Sequence, residues 1–220
     1  MKELIRIELK KMSLNEQLRA LVIANIVLLL VMAMPLFMIA SDGMGEVYLL
    51  MSLAIIGTFM VWQSILLSSL VVEEFKTKTM MQLYTYPVKR SAVIISKVGL
   101  IMMMMLVFTL VTHFVQHSLF AGFALLIPGF SYTLSLSSML RIVVMTIATV
   151  MMAMMTLTVG LWMKSTVAPV VTSFALMTVL SNVNGFSLAN NLIFMVMMGA
   201  LGTACTVFSI IDVLKKDLIV

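Results

Sequence analysis

Val98-Gly99-Leu100-Ile101-Met102-Met103-Met104-Met105-Leu106-Val107-Phe108-Thr109-Leu110-Val111-Thr112-His113-Phe114-Val115-Gln116-His117-Ser118-Leu119-Phe120 contains no Asp, Glu, Lys or Arg. As a helix, a run of this length reaches about 35 Å, more than the roughly 30 Å of hydrocarbon in a bilayer. The whole stretch between Lys97 and Arg141 holds 43 residues without one of these charges. Four further stretches read the same way: 22 residues between Arg19 and Asp42, 26 between Glu46 and Glu73, 22 between Arg141 and Lys164, and 47 between Lys164 and Asp212. Across the 220 residues 62% are apolar and only 10% charged. A water-soluble domain carries about 25% charge, so a soluble fold is excluded. The apolar runs are continuous rather than alternating, which predicts helices and not a barrel, since a helix satisfies its own backbone in lipid.

The number of spans follows from where turn formers interrupt the long runs. Pro128-Gly129-Phe130-Ser131-Tyr132-Thr133-Leu134-Ser135-Leu136-Ser137-Ser138 reads as an outer segment, leaving one span at 98–120. Ser181-Asn182-Val183-Asn184-Gly185-Phe186-Ser187-Leu188-Ala189-Asn190-Asn191 divides the last stretch. The expected fold is all-α and polytopic, with six transmembrane helices at 20–41, 47–72, 98–120, 142–163, 166–181 and 192–211. With both ends on the cytoplasmic side of the cell membrane, 13 of the 14 basic residues fall inside and only Arg141 outside. A seven-span count puts Lys164, Lys215 and Lys216 outside and fits worse. The net charge of +5 then reads as an orientation signal with attraction to anionic membrane lipid, and no nucleic-acid partner is needed.

Residues 1–18 are expected to form an amphipathic surface helix. Met1, Leu4, Ile5, Leu9 and Met12 share one arc, opposite Lys2, Glu3, Arg6 and Lys10, and the charge of this segment does not suit a signal peptide. The single cysteine, Cys205, excludes an intramolecular disulfide. The expected spans contain no charge in their cores, which disfavours coupling to an ion gradient and intramembrane aspartyl proteolysis. No His-Glu-x-x-His metal motif occurs. His113 and His117 share a helix face, but two imidazoles fall short of the three or four ligands of a metal site, so they read as polar capping near the outer end of the third span. The clusters Met102–Met105, Met151-Met152, Met154-Met155 and Met197-Met198 read as flexible filler.

The loop between the second and third spans carries the functional signal. It runs Val72-Glu73-Glu74-Phe75-Lys76-Thr77-Lys78-Thr79-Met80-Met81-Gln82-Leu83-Tyr84-Thr85-Tyr86-Pro87-Val88-Lys89-Arg90, and continues to Lys97. Residues 79–86 make two helical turns closed by Pro87. Phe75, Thr79, Gln82 and Leu83 then form an apolar and aromatic patch at the water side, the mark of a protein-binding surface. Lys89 and Arg90 sit at the lipid headgroups. Glu73 and Glu74 are either solvated charges or partners for basic groups of another chain or of the N-terminal helix.

In the order and spacing of Glu73-Glu74, Thr79, Pro87-Val88-Lys89-Arg90 and Lys97, the chain resembles the permease subunits of type-2 ABC exporters. It departs from them at Lys78, where Gly is frequent, and in the short segment before Arg141. The resemblance implies a half-transporter without enzymatic activity. Residues 79–86 become the coupling helix that docks on a separate ABC ATPase subunit, which binds the ATP and Mg; this chain binds no cofactor itself. The ATPase-coupling residues are then Glu73, Glu74, Phe75, Thr79, Gln82, Leu83, Pro87, Lys89 and Arg90. A second permease copy or a sibling permease completes an assembly of two permeases and two ATPases. Compact relatives export lantibiotics, bacitracin-like peptides or phenol-soluble modulins, which makes an amphipathic peptide the expected cargo. The alternatives are a lipid or other hydrophobic cargo, or a non-transporting anchor or sensor that recruits a cytosolic partner.

Overall fold

The computed structural model describes residues 13–39, 44–76, 90–126, 135–181 and 192–216, and every regular element among them is a helix. Helix α1 is Leu14–Ile39 and α2 is Met44–Leu67; α2 passes through a π-helical segment, Ser68–Val72, into the single turn α3, Glu73–Lys76. Helix α4 is Arg90–Leu126, α5 Leu136–Ala153, α6 Met155–Met163, α7 Ala168–Ser181 and α8 Leu192–Lys216. Among the described residues, five stretches are long and apolar enough to cross a bilayer: Leu14–Met32, Leu50–Lys76, Val93–Ala124, Leu136–Met163 and Leu192–Asp212. The chain is a multi-pass membrane protein.

The helix boundaries depart from the sequence expectation in instructive ways. Helix α7 has 14 residues, about 21 Å of rise, and on its own falls short of a bilayer, so five spans and not six meet the length criterion among the described residues. The first helix begins at Leu14, six residues before the expected start at 20. At Ser13 the backbone stands at φ 42°, and its hydroxyl donates to the Glu16 carboxylate at 2.5 Å. Residues 1–12 of the expected surface helix lie outside the described residues. The second helix runs on past 72 to Lys76, and the third begins at Arg90 instead of 98, drawing Lys97 into the helix. The fourth begins at Leu136, capped by the Ser135 hydroxyl, which accepts from the Ser137 N–H at 3.3 Å. Arg141 is thus part of that helix rather than of an outer segment.

Helix α2 is the most buried span and α1 the least. Met51, Ile55, Phe59 and Leu67 of α2 enter the main apolar cluster with Ile101, Met105 and Phe108 of α4 and Val150, Met154 and Leu157 from α5–α6. Lipid is as apolar as these side chains, so burial alone does not hold the helices together; close backbone approach and polar bonds between helices must contribute. Both are present. A Cβ on Gly202 of α8 would stand 2.6 Å from the Met151 carbonyl oxygen, and one on Gly199 2.9 Å from that of Ala148, so α8 and α5 touch backbone to backbone.

The fourth span is broken without proline. The Met154 N–H bonds the Met151 carbonyl at 3.3 Å, a three-residue step, where an unbroken α-helix would use Val150. The freed Val150 carbonyl accepts from Gln63 Nε2 of α2 at 3.0 Å. On the far side of the break, the Met154 carbonyl accepts from Thr206 Oγ1 of α8 at 2.8 Å. Two neighbouring helices therefore satisfy the backbone of the break, as a discontinuous helix in lipid requires.

Gly202→Ala should destabilise the full chain by about 1–3 kcal/mol, because the new methyl meets backbone that cannot move aside. Gly122→Ala, where a Cβ meets nothing within 4 Å, should instead gain about 0.5–1 kcal/mol from helix propensity. Thermal unfolding of the two variants in the same detergent reads the opposite signs.

Candidate functional site

The candidate site is the end of the bundle at which α3 and the start of α4 flank residues 77–89. Thr79, Gln82, Leu83, Pro87 and Lys89, with the whole expected coupling helix at 79–86, lie outside the described residues. Glu73, Glu74 and Phe75 form α3, and Arg90 is the first residue of α4.

Glu74 meets a partner that the sequence reading did not name. Its carboxylate is in an ion pair with Lys97 Nζ of α4; the lysine side chain is 2% exposed and the glutamate 12%. The spacing of 23 residues joins the two sides of the loop. A pair this deep differs from the solvated charges considered above: desolvation offsets much of its attraction, while removing one partner strands the other. Phe75 also turns inward. Expected on an exposed docking patch, it is only partly buried yet packs on Ile94 of α4 and Ile210 of α8. Glu73 stays exposed at the start of α3.

Directly behind α3 the helix widens. In the segment Ser68–Val72 the Glu73 N–H reaches back five residues to the Ser68 carbonyl. The wide turn presents Ser68 and Val72 to the connection between α6 and α7. The Ser68 hydroxyl donates to the Thr166 carbonyl, and Ser64, one turn earlier, shares a 3.2 Å bond with Ser173 of α7. Gly160 lies where three elements meet: a Cβ there would stand 2.5 Å from Pro169 Cγ and 2.9 Å from Val72 Cγ2. The connection itself reverses at Lys164, in the left-handed region at φ 48°, with the Lys164 and Ser165 N–H groups both bonded to the Gly160 carbonyl.

The structure thus brings Glu74 and Phe75 into contact with α4 and α8, and the π segment into contact with the α6–α7 turn. Lys97, Ser68, Thr166 and Gly160 are the positions that sequence reasoning missed. Ser64 and Ser68, one helical turn apart in an apolar run, were the available signal. What the arrangement does physically is mechanical: both ends of the 77–89 segment are fastened to each other and to three other helices. Lys97→Met alone should cost about 1.5–3 kcal/mol through loss of the charged hydrogen bond to Glu74. Joining it to Glu74→Gln should recover more than half of that loss in unfolding measured on the same full chain.

The comparisons with known proteins bear on the chain as a whole. Residues 4–182 match the family described as ABC-2 family transporter protein. A relative from Bacillus subtilis (strain 168), called uncharacterized protein YcbO, is 31% identical over 100 residues, which cover 43% of this chain and 44% of the relative. The match thus spans less than half of that relative's length. No solved structure matches the chain. With a family match across most of its length and helices suited to repeated membrane crossing, the chain belongs to the ABC-2 family of transporter proteins.

Proposed function

We propose that this chain is the permease half of an ATP-driven exporter whose nucleotide-hydrolysing subunit is a separate protein. In this reading residues 79–86 dock on that subunit, and a second permease, identical or homologous, completes the pathway. Six spans with both ends cytoplasmic would put residues 73–97 on the inner side, which agrees with the basic-residue distribution. The observation that best supports the reading is the set of contacts at the root of the loop. The Glu74–Lys97 pair, Phe75 on Ile94 and Ile210, and Ser68 on Thr166 join that root to α4, α8 and the α6–α7 turn. A loop that only tethered a partner would have no need of such fastening, whereas one that transmits force would.

The cargo is proposed to be amphipathic, with a peptide favoured over a lipid. The support is that the charges of the spans stay near their ends and that none lies in residues 98–120 or 142–163, since a hydrated channel normally lines itself with polar or charged rings. The ATP and Mg would be held by the partner, and this chain would contribute shape change alone.

Leu83→Asp should reduce recovery of the ATPase with the purified permease by about ten-fold or more, as loss of an apolar interface anchor does. Insertion of the variant into the membrane should be unchanged. Equal recovery of ATPase with both chains would remove the loop from the mechanism, and transport by the permease reconstituted alone would remove the separate motor.

A further inference from the structure

The seam between α1 and α4 holds polar groups that the function above does not use. Asn25 of α1 donates through Nδ2 to Thr112 Oγ1 at 3.0 Å and to the Leu21 carbonyl at 2.9 Å. Gln116 donates through Nε2 to the Asn25 carbonyl at 2.8 Å. Those carbonyl partners fix both amides with nitrogen toward the bond, so exchanging N and O within either amide would break what exists. Asn25 Oδ1 and Gln116 Oε1 are left buried without a donor. His113 lies between Thr112 and Gln116 on the same turn of α4; it is 1% exposed, as is Gln116, and neither of its ring nitrogens has a hydrogen-bond partner.

His113 and Gln116 sit 8 to 11 residues, about 12–17 Å of helix, inside the Ala124 end of this long apolar helix. A polar atom buried there without a partner costs more than a hydrogen bond returns, and bulk water does not reach it. The unmet demand has a definite character. Two amide oxygens and the bare nitrogen of a neutral imidazole need donors, while the imidazole N–H needs one acceptor. Two water molecules bonded to each other, which leave three O–H donors and acceptor positions to spare, answer it. A metal ion does not, because among the described residues no three His, Cys, Asp or Glu side chains converge. The rings of His113 and His117 moreover lie parallel within 9° at 5.7 Å, face to face and not with nitrogens converging.

We propose that Asn25, His113 and Gln116 form a neutral binding site for water within the membrane, between the first and third long helices. The same site accepts any small neutral group that donates hydrogen bonds, and it repels none by charge. The inference does not depend on what the protein moves.

The test uses the full chain in lipid bilayers, labelled with nitrogen-15 in its two histidines and two tryptophans, and follows magnetisation from water protons by solid-state NMR. His113→Phe or, if that chain misfolds, His117→Phe assigns the ring signals by which pair vanishes. Trp62, stacked on Phe59 at 5.6 Å and set against the apolar cluster, is the dry reference. Transfer from water to the His113 ring nitrogens should be at least about three-fold faster than to the Trp62 indole, as for a hydrated polar site. In Gln116→Leu, which removes one water acceptor, it should fall toward the Trp62 rate. Transfer to His113 no faster than to Trp62 would overturn the proposal. So would an undiminished rate in Gln116→Leu, which would mean that His113 draws its water without the shared site.

Discussion

A peptide carbonyl released from its helix inside lipid has no water to turn to, and this constraint governs where the chain is able to deviate from regular structure. At the break after Ala153 the freed carbonyl of Val150 is taken up by Gln63, and the carbonyl of Met154, which accepts from the Leu157 N–H at 3.0 Å, takes a second bond from Thr206, each from a different helix. The interruption of one span is thereby written into two others. The close approach of Gly199 and Gly202 to α5 belongs to the same design, since it brings α8 near enough for Thr206 to reach the break. Loss of any of these residues is felt by three helices, not one.

The end of the bundle at α3 shows a second use of the same logic. The π segment Ser68–Val72 displaces backbone from its regular ladder, and the contact of Ser68 with Thr166 lies beside it. Thr166 belongs to a sharp connection whose own reversal rests on Gly160 and on Lys164 in a left-handed conformation. The Glu74–Lys97 pair closes the arrangement from the α4 side. Charge, hydroxyl and glycine each serve a separate contact, yet all converge on the short stretch at which the chain leaves α2.

Much of this fold was legible from the residues. Long uncharged runs such as 98–120 announce membrane helices whatever their order, because the cost of burying charge in lipid is large. The extent of each helix was not legible. Charge alone marks Lys97 and Arg141 as boundaries, yet Lys97 lies within α4, paired with Glu74, and α5 begins six residues before 142 at its Ser135 cap. A pairing between residues 23 positions apart is invisible to any local pattern. The half-buried setting of Phe75 is hidden for a related reason: its packing against the cluster of Ile94 and Ile210 joins residues far apart in the chain. Resemblance to exporter permeases supplies the expectation for the loop, and the family match over residues 4–182 supports the kinship.

A π turn holds more residues than an α turn, and that surplus has a geometric consequence for α3. Tightening of Ser68–Val72 by one residue would swivel everything downstream by about 100° round the helix axis and shift it by about 1.5 Å. Glu74 would swing off Lys97 and Phe75 would leave its seat, so the ion pair and the wide turn are geometrically tied: neither keeps its place if the other changes.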